Sequence, residues 1–293
     1  MHPATLKAPN AQTLCAQSWL RRVEWHERLD STQILARQHS QTLPDQELPL
    51  LIGANEQSAG QGRGSHRWWT GAGALACSLL LDPRQFGGTN QPVPQLSLAV
   101  GVSLVEVIQQ TSPQINIGLH WPNDLYCDVA QNSRSSLIAP AGSTAGTADS
   151  SRQFSRKKVG GILIEALPGG RLIIGVGVNT NNSFLVAENP SPVELRESAC
   201  ALVDLTGEAL DHTQFLLAWM AELRAALELL YAHPERLGEE FDRHCLQRGE
   251  TLTLYQGTAQ YIGRCLGIAT NGALRLQLPA GEREFTSGSL RRE

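Results

Sequence analysis

Residues 158–180 read KVGGILIEALPGGRLIIGVGVNT. Two apolar runs, 158–167 and 171–181, flank Pro168-Gly169-Gly170, which is the pattern of a β-hairpin with both strands well buried. Glycines interrupt each run, at Gly160-Gly161 and at Gly175 and Gly177. A strand glycine lets a ligand or another backbone approach closely, and it equally permits tight sheet packing. At this point both readings stand.

Working outward, INIGLHW (115–121) is strand-like and SLAVGVSLVEVIQQ (97–110) has helical spacing. ALACSLLLD (74–82) and PLLIGANEQ (49–57) read as further strands. A helix is expected to begin at Asp30 or Ser31, because Asp, Ser and Thr there are all competent N-caps. Downstream, HTQFLLAWMAELRAALELLYA (212–232) is an amphipathic helix with Leu216, Trp219, Met220, Leu223, Leu227 and Leu230 on one face. From Arg248 the pattern becomes short strands and turns, with Asn271-Gly272 as a strong hairpin signal. Strands adjoin one another more often than they alternate with helices, which predicts an α+β fold on a mixed, mainly antiparallel sheet with flanking helices. The tail predicts a small β-barrel, dividing the chain into 1–246 and 247–293. Residues 130–156 are too rich in Ser, Ala, Gly and Thr to pack, and read as a disordered insertion.

The chain has 293 residues, 41% hydrophobic, and a formal net charge of −4, so any anion site must be local. No apolar run approaches the length needed to span a bilayer. The N-terminus lacks the basic-then-apolar order of a secretory signal, which points to the cytoplasm. Six cysteines at 15, 77, 127, 200, 245 and 265 form no CxxC pair and read as buried thiols. No nucleophile triad and no paired hydrolytic carboxylates stand out.

Three stretches carry chemistry. GQGRGSHRWWTGAG (60–73) combines five glycines with Arg63, His66, Arg67, Trp68 and Trp69. Such a stretch should hold no shape of its own, yet its amides and guanidinia suit an anion and its indoles suit a base. HWPNDLY (120–126) offers Asn123 and Asp124 at a turn, which could be turn chemistry alone or a nucleotide contact. Lys158 is one of only three lysines, with Lys7 and Lys157, and opens the glycine-bearing strand. Binding groups and cations without a nucleophile suit a reaction in which the substrates supply the nucleophiles.

Taken in order, DST (30–32), QSAGQGRGSHRW (57–68), WPND (121–124), KKVGGILIE (157–165) and GVGVN (175–179) resemble the biotin protein ligases. The tail from RGETLTLY (248–255) to SGSLR (287–291) resembles that family's SH3-like C-terminal domain. The resemblance implies activation of biotin by ATP to biotinyl-5′-AMP, then transfer to a lysine of the biotin carboxyl carrier protein of acetyl-CoA carboxylase. It implies that Ser31, Thr32, Gln57, Gly60 and Gly175 hold biotin, and that Arg67, Trp68, Asn123, Asp124 and Asn179 lie on the ATP side. Arg63 and Lys158 would touch both ligands and carry the chemistry. Mg2+ would accompany ATP near Asp124, with no resident metal. The resemblance is to the ligase-only type, without an N-terminal DNA-binding domain. Two positions depart from the family's pattern: Gln61 stands where an arginine is common, and His120 where a lysine is usual. The nearest alternative is a lipoate or other acyl-adenylate ligase. A binding module without catalysis is the alternative from another class, and the tail's arginines, set among several acids, are a poor nucleic-acid footprint.

Overall fold

The computed structural model describes residues 8–89, 93–130, 154–185 and 191–291. Seven strands form the main sheet: β1 (Arg22–Leu29), β2 (Leu50–Gln57), β3 (Leu75–Leu81), β4 (Ile117–His120), β5 (Asp124–Ala130), β6 (Phe154–Ala166) and β7 (Leu172–Val178). Their order is β1-β2-β3-β7-β6-β5-β4. Only β1 and β2 pair in parallel, joined through the helix α2 (Thr32–His39), and the other neighbours are antiparallel. The expected mixed, mainly antiparallel α+β sheet is therefore present. The opening hairpin is β6–β7, with Leu163 opposite Gly175 and Gly161 opposite Gly177.

Side-chain alternation along a strand explains how the sheet is covered on both faces. Along β7, Leu172, Ile174, Val176 and Val178 enter the large core under the helices α3 (Leu96–Thr111) and α6 (His212–Ala232). Ile173 points the other way, into a smaller cluster with Leu50, Ile52, Leu80 and Ala36 of α2. That second face continues through Ser78, Gly175, Gly177 and Gly161, where side chains are small or missing and only the first residues of α2, Thr32 and Gln33, reach over Ser78 and Gly175. Helix α6 starts at Asp211, whose carboxylate accepts from the amides of Thr213 and Gln214. All six residues expected on its inner face are buried, and Trp219 Nε1 donates to Ser103 Oγ of α3 at 3.0 Å.

The tail forms a second antiparallel sheet of β8 (Thr251–Gln256), β9 (Ala259–Ile268), β10 (Leu274–Leu278), β11 (Gly281–Phe285) and β12 (Ser289–Arg291). Its order is β11-β10-β9-β8-β12. The β9–β10 turn falls at Asn271-Gly272, with Gly272 at φ +82, a left-handed conformation that glycine adopts without strain. This sheet is open: β11 and β12 are its edges and no ladder joins them among the described residues, so the β-barrel expected of the tail is not seen as such. Nor is it a separate module in its packing. Leu254, Cys265, Ile268, Leu274, Leu276 and Phe285 belong to the same continuous core as the main sheet.

Two boundaries differ from the sequence reading. Helix α2 begins at Thr32, with Ser31 as N-cap. The span read as an insertion, 130–156, is strand at its two ends, because Ala130 pairs with Phe154 and Asp128 with Arg156; its middle lies outside the described residues.

Candidate active site

The uncovered half of the second sheet face forms the floor of a cavity of about 510 Å³. One end is polar. Thr32 donates its amide to Gln57 Oε1 at 2.8 Å, and Gln57 Nε2 donates to Thr70 Oγ1 at 2.9 Å, so Gln57 is engaged at both ends. Thr32 Oγ1 lies 2.8 Å from Ser78 Oγ, and the Ser78 hydroxyl donates to Gln33 Oε1 at 2.9 Å. Gly175 stands opposite Gln33: a Cβ there would lie 2.4 Å from Gln33 Oε1. The neighbour that Gly175 makes room for is a side chain of the chain itself.

The glycine-rich stretch does hold a shape. Trp68 N donates to Gly60 O at 2.9 Å, Gly62 N to His66 O at 2.9 Å and His66 N to Arg63 O at 3.2 Å, which makes residues 60–68 a small hairpin. The expectation of a shapeless stretch is thus corrected, because backbone bonds across the loop close it. Arg63 and Arg67 are exposed on it, and Arg63 Nη1 donates to Gly288 O of the tail at 2.9 Å. The Trp68 indole lies inward on the sheet floor. A Cβ at Gly177 would lie 2.3 Å from it and one at Gly161 3.4 Å. Those two glycines exist in order that an indole can rest on backbone.

Lys158 stands between the two regions. Its Nζ lies 2.6 Å from Asp124 Oδ1, and 5.8 Å from the centroid of the Trp68 ring. Asp124 opens β5, and Asn123 is tied down through Nδ2 to Ile162 O at 2.8 Å, so the WPND turn is fixed to β6 beside Lys158. Trp121, fully buried, anchors the turn from below: its amide donates to Gln247 Oε1 at 2.8 Å and its indole to Gly272 O at 3.0 Å. On the core face of β3, beneath the cavity floor, burial pushes the Cys77 thiol up to about 12, so it stays neutral.

The structure therefore brings Ser31, Thr32, Gln57, Arg63, Arg67, Trp68, Asn123, Asp124, Lys158 and Gly175 to one cavity wall. Gly60 and Asn179 are not on that wall. Gly60 accommodates the carbonyl of Trp68, which a Cβ would meet at 2.4 Å. Asn179 is buried behind Lys158, with its amide N on Val159 O at 2.8 Å and its Oδ1 accepting from Asn182 at 3.0 Å. Gln33, Ser78, Tyr126 and Leu290 are among the wall residues that escaped the sequence reading. A glutamine directly after Asp-Ser-Thr, and a hydroxyl inside the apolar run LACSLLL, were the available signals for the first two. Of the two departures from the family pattern, Gln61 meets Arg37 Nη2 at 3.5 Å, although that guanidinium is held bidentately by Glu165. His120 lies against Tyr126, ring centroids 4.4 Å apart.

A cavity with a polar end, a cation at its centre and an indole wall lies on the mixed sheet of an α+β domain. The chain belongs to the Biotin/lipoate A/B protein ligase family, which residues 25–181 match, and it is a ligase. It is 26% identical over 277 residues to the bifunctional ligase/repressor BirA of Bacillus subtilis, covering 91% of this chain and 72% of that one. To the biotin--[acetyl-CoA-carboxylase] ligase of Paracoccus denitrificans it is 27% identical over 239 residues, 78% of this chain and 84% of that one. Among solved structures, the biotin protein ligase from Aquifex aeolicus in complex with biotin and ATP superposes with a TM-score of 0.71 at 25% identity. That superposition covers 93% of this chain and 99% of the other. No helix among the described residues is long and apolar enough to cross a membrane.

Proposed function

We propose that the protein condenses biotin with ATP to biotinyl-5′-AMP and then transfers biotin to a lysine of a biotin carboxyl carrier protein. The observation that carries this reading is the placement of Lys158, with its Asp124 partner 2.6 Å away, between the Thr32–Ser78–Gln33 end and the Trp68 wall. A carboxylate oxygen of biotin attacks the α-phosphorus of ATP and pyrophosphate leaves. Two anions must meet for that step. Lys158, released from Asp124 towards the ligands, and Arg63 on the hairpin neutralise their repulsion and the charge that develops. In the second step the carrier's amine attacks the acyl carbon and AMP leaves. Closing the 60–68 hairpin over the mixed anhydride keeps water away, and opening it admits the carrier.

Mg2+ enters as the companion of ATP. Asp124 is the sole carboxylate on the cavity wall among the described residues and already faces Lys158, too small a donor set for a resident ion. The reading places the reaction in the cytoplasm, with biotin, ATP and the carrier as partners and without DNA or membrane. Residues 1–246 form its catalytic part and 247–293 its tail domain.

The test is pyrophosphate–ATP exchange with biotin or lipoate, followed by streptavidin detection of a carrier domain, for the wild type and Lys158→Ala. Biotin-dependent exchange is expected in the wild type, and a loss of about 10²-fold or more in the variant, as for removal of one charge-stabilising donor. Exchange with lipoate alone would reassign the substrate.

A further inference from the structure

Away from the cavity, two helices bring three metal-ligating side chains together. Glu106 lies on α3, while Glu240 lies on the helix α7 (Pro234–Arg243) and His244 is its C-cap, one turn further on and on the same face. None of the three lines the cavity. His244 Nε2 is 3.0 Å from Glu106 Oε1 and 3.9 Å from Glu240 Oε2. One ligand atom from each residue lies within 4.8 Å of the other two. The His244 side chain is 7% exposed, against 34% for Glu106 and 24% for Glu240, so the imidazole is buried and solvent reaches the cluster past the carboxylates.

An ion pair accounts for only half of this arrangement. Nε2 carries at most one proton, which serves Glu106, and Glu240 Oε2 at 3.9 Å is beyond hydrogen-bond range. The other oxygen of Glu240 pairs with Arg243. Two carboxylates thus converge on one ring nitrogen. Zinc bonds of about 2.0–2.1 Å at tetrahedral angles set ligand atoms about 3.4 Å apart, and the two distances from Nε2 bracket that value. The backbone beneath is fixed in advance: His244 N donates to Glu240 O at 3.1 Å, and His244 O accepts from Leu119 N at 2.8 Å. Gly118 permits that approach, since a Cβ there would lie 2.5 Å from His244 O. A ligand already held in place loses little entropy when an ion binds.

We propose that Glu106, Glu240 and His244 bind a divalent transition-metal ion of the zinc class, with water completing its shell. One imidazole nitrogen with two carboxylates suits Zn2+ over Mg2+ or Ca2+, which take oxygen ligands. The ion clips α3 to the end of α7. From there the chain runs directly into Leu246, whose amide donates to Leu119 O at 3.1 Å, and Gln247, which holds the Trp121 amide. Its role is structural: it fastens the segment that anchors the WPND turn.

The test titrates the full chain, stripped with EDTA and desalted, with Zn2+ alone, followed by calorimetry and thermal unfolding. One equivalent is expected to bind, and the melting temperature to rise with Zn2+ concentration, as for any ligand of the folded state. Glu106→Gln and Glu240→Gln should each weaken binding at least about tenfold and lose the thermal shift. Cys15→Ser, which removes the one cysteine that is not buried, should change neither. Co2+ in place of Zn2+ should give the visible bands of a tetrahedral ion without thiolate charge transfer. No binding by the wild type, equal binding by wild type and both glutamate variants, or thiolate charge transfer with Co2+ overturns the proposal. If one glutamate variant does not fold, the other decides by the same comparison. None of these readouts uses biotin or ATP, so the ligase reading and the metal site stand or fall separately.

Discussion

His212 shows how a single residue off the cavity wall can set the acid limit of the fold. It is buried at the head of α6, where its Nε2 lies 2.8 Å from Thr180 Oγ1 and 3.3 Å from Asn181 Nδ2, just past the end of β7. Burial lowers its pKa to about 4, partly opposed by the neighbouring Asp211 charge. The folded state therefore keeps the ring neutral where the unfolded chain, near its ordinary value of about 6.5, takes up a proton. The stability tied to this ring is complete above about pH 6.5 and is lost as pH falls towards about 4. Urea titrations between those limits should show stability falling by up to about 1.4 kcal/mol per pH unit from this group. His212→Gln should flatten that part of the slope while lowering stability at neutral pH.

Among the elements, the β6–β7 hairpin and the 60–68 hairpin determine each other's shape. Gly161 and Gly177 are neighbours across the ladder and together give the Trp68 indole its seat. Gly177→Ala would put a methyl 2.3 Å from Cε2 of that indole, inside any normal contact. The ring must then leave the floor, so the side proposed for the nucleotide should lose its wall while the core beneath, built from Val176 and Val178, stays packed. The expected outcome is an increase of about tenfold or more in KM for ATP, with a melting temperature close to that of the wild type. A large drop in melting temperature with unchanged KM would mean that the glycine serves sheet packing instead.

On the scale of the whole molecule, the open C-terminal sheet completes the hydrophobic core of the main sheet. Its apolar face merges with the main core, Gln247 and Gly272 hold Trp121 beneath the WPND turn, and Gly288 accepts from Arg63. Removing 247–293 would strip Trp121 of its Gln247 and Gly272 partners and so cut the anchors of the turn beside Lys158. The truncated chain should fail to unfold cooperatively, seen as a broadened thermal transition and dye binding to exposed apolar surface. A sharp transition near that of the full chain would show instead that the first 246 residues stand alone.

Local periodicity by itself determined the buried strands, the long amphipathic helix and the order of the motifs, because those depend on residue spacing within one element. It missed β1, whose residues RVEWHERL alternate poorly; that strand is held by parallel pairing with β2 and by Trp25 lying over Gly53. It also missed β5, because pairing with β6 overrides the turn signal of the WPND segment. Only the tertiary structure decided which glycines make room for which side chains, that Asn179 and Gly60 lie off the cavity wall, and that Gln33 packs against Gly175 and Ser78. Those outcomes depend on distances between strands and helices far apart in the chain, and such distances leave no periodic trace in it.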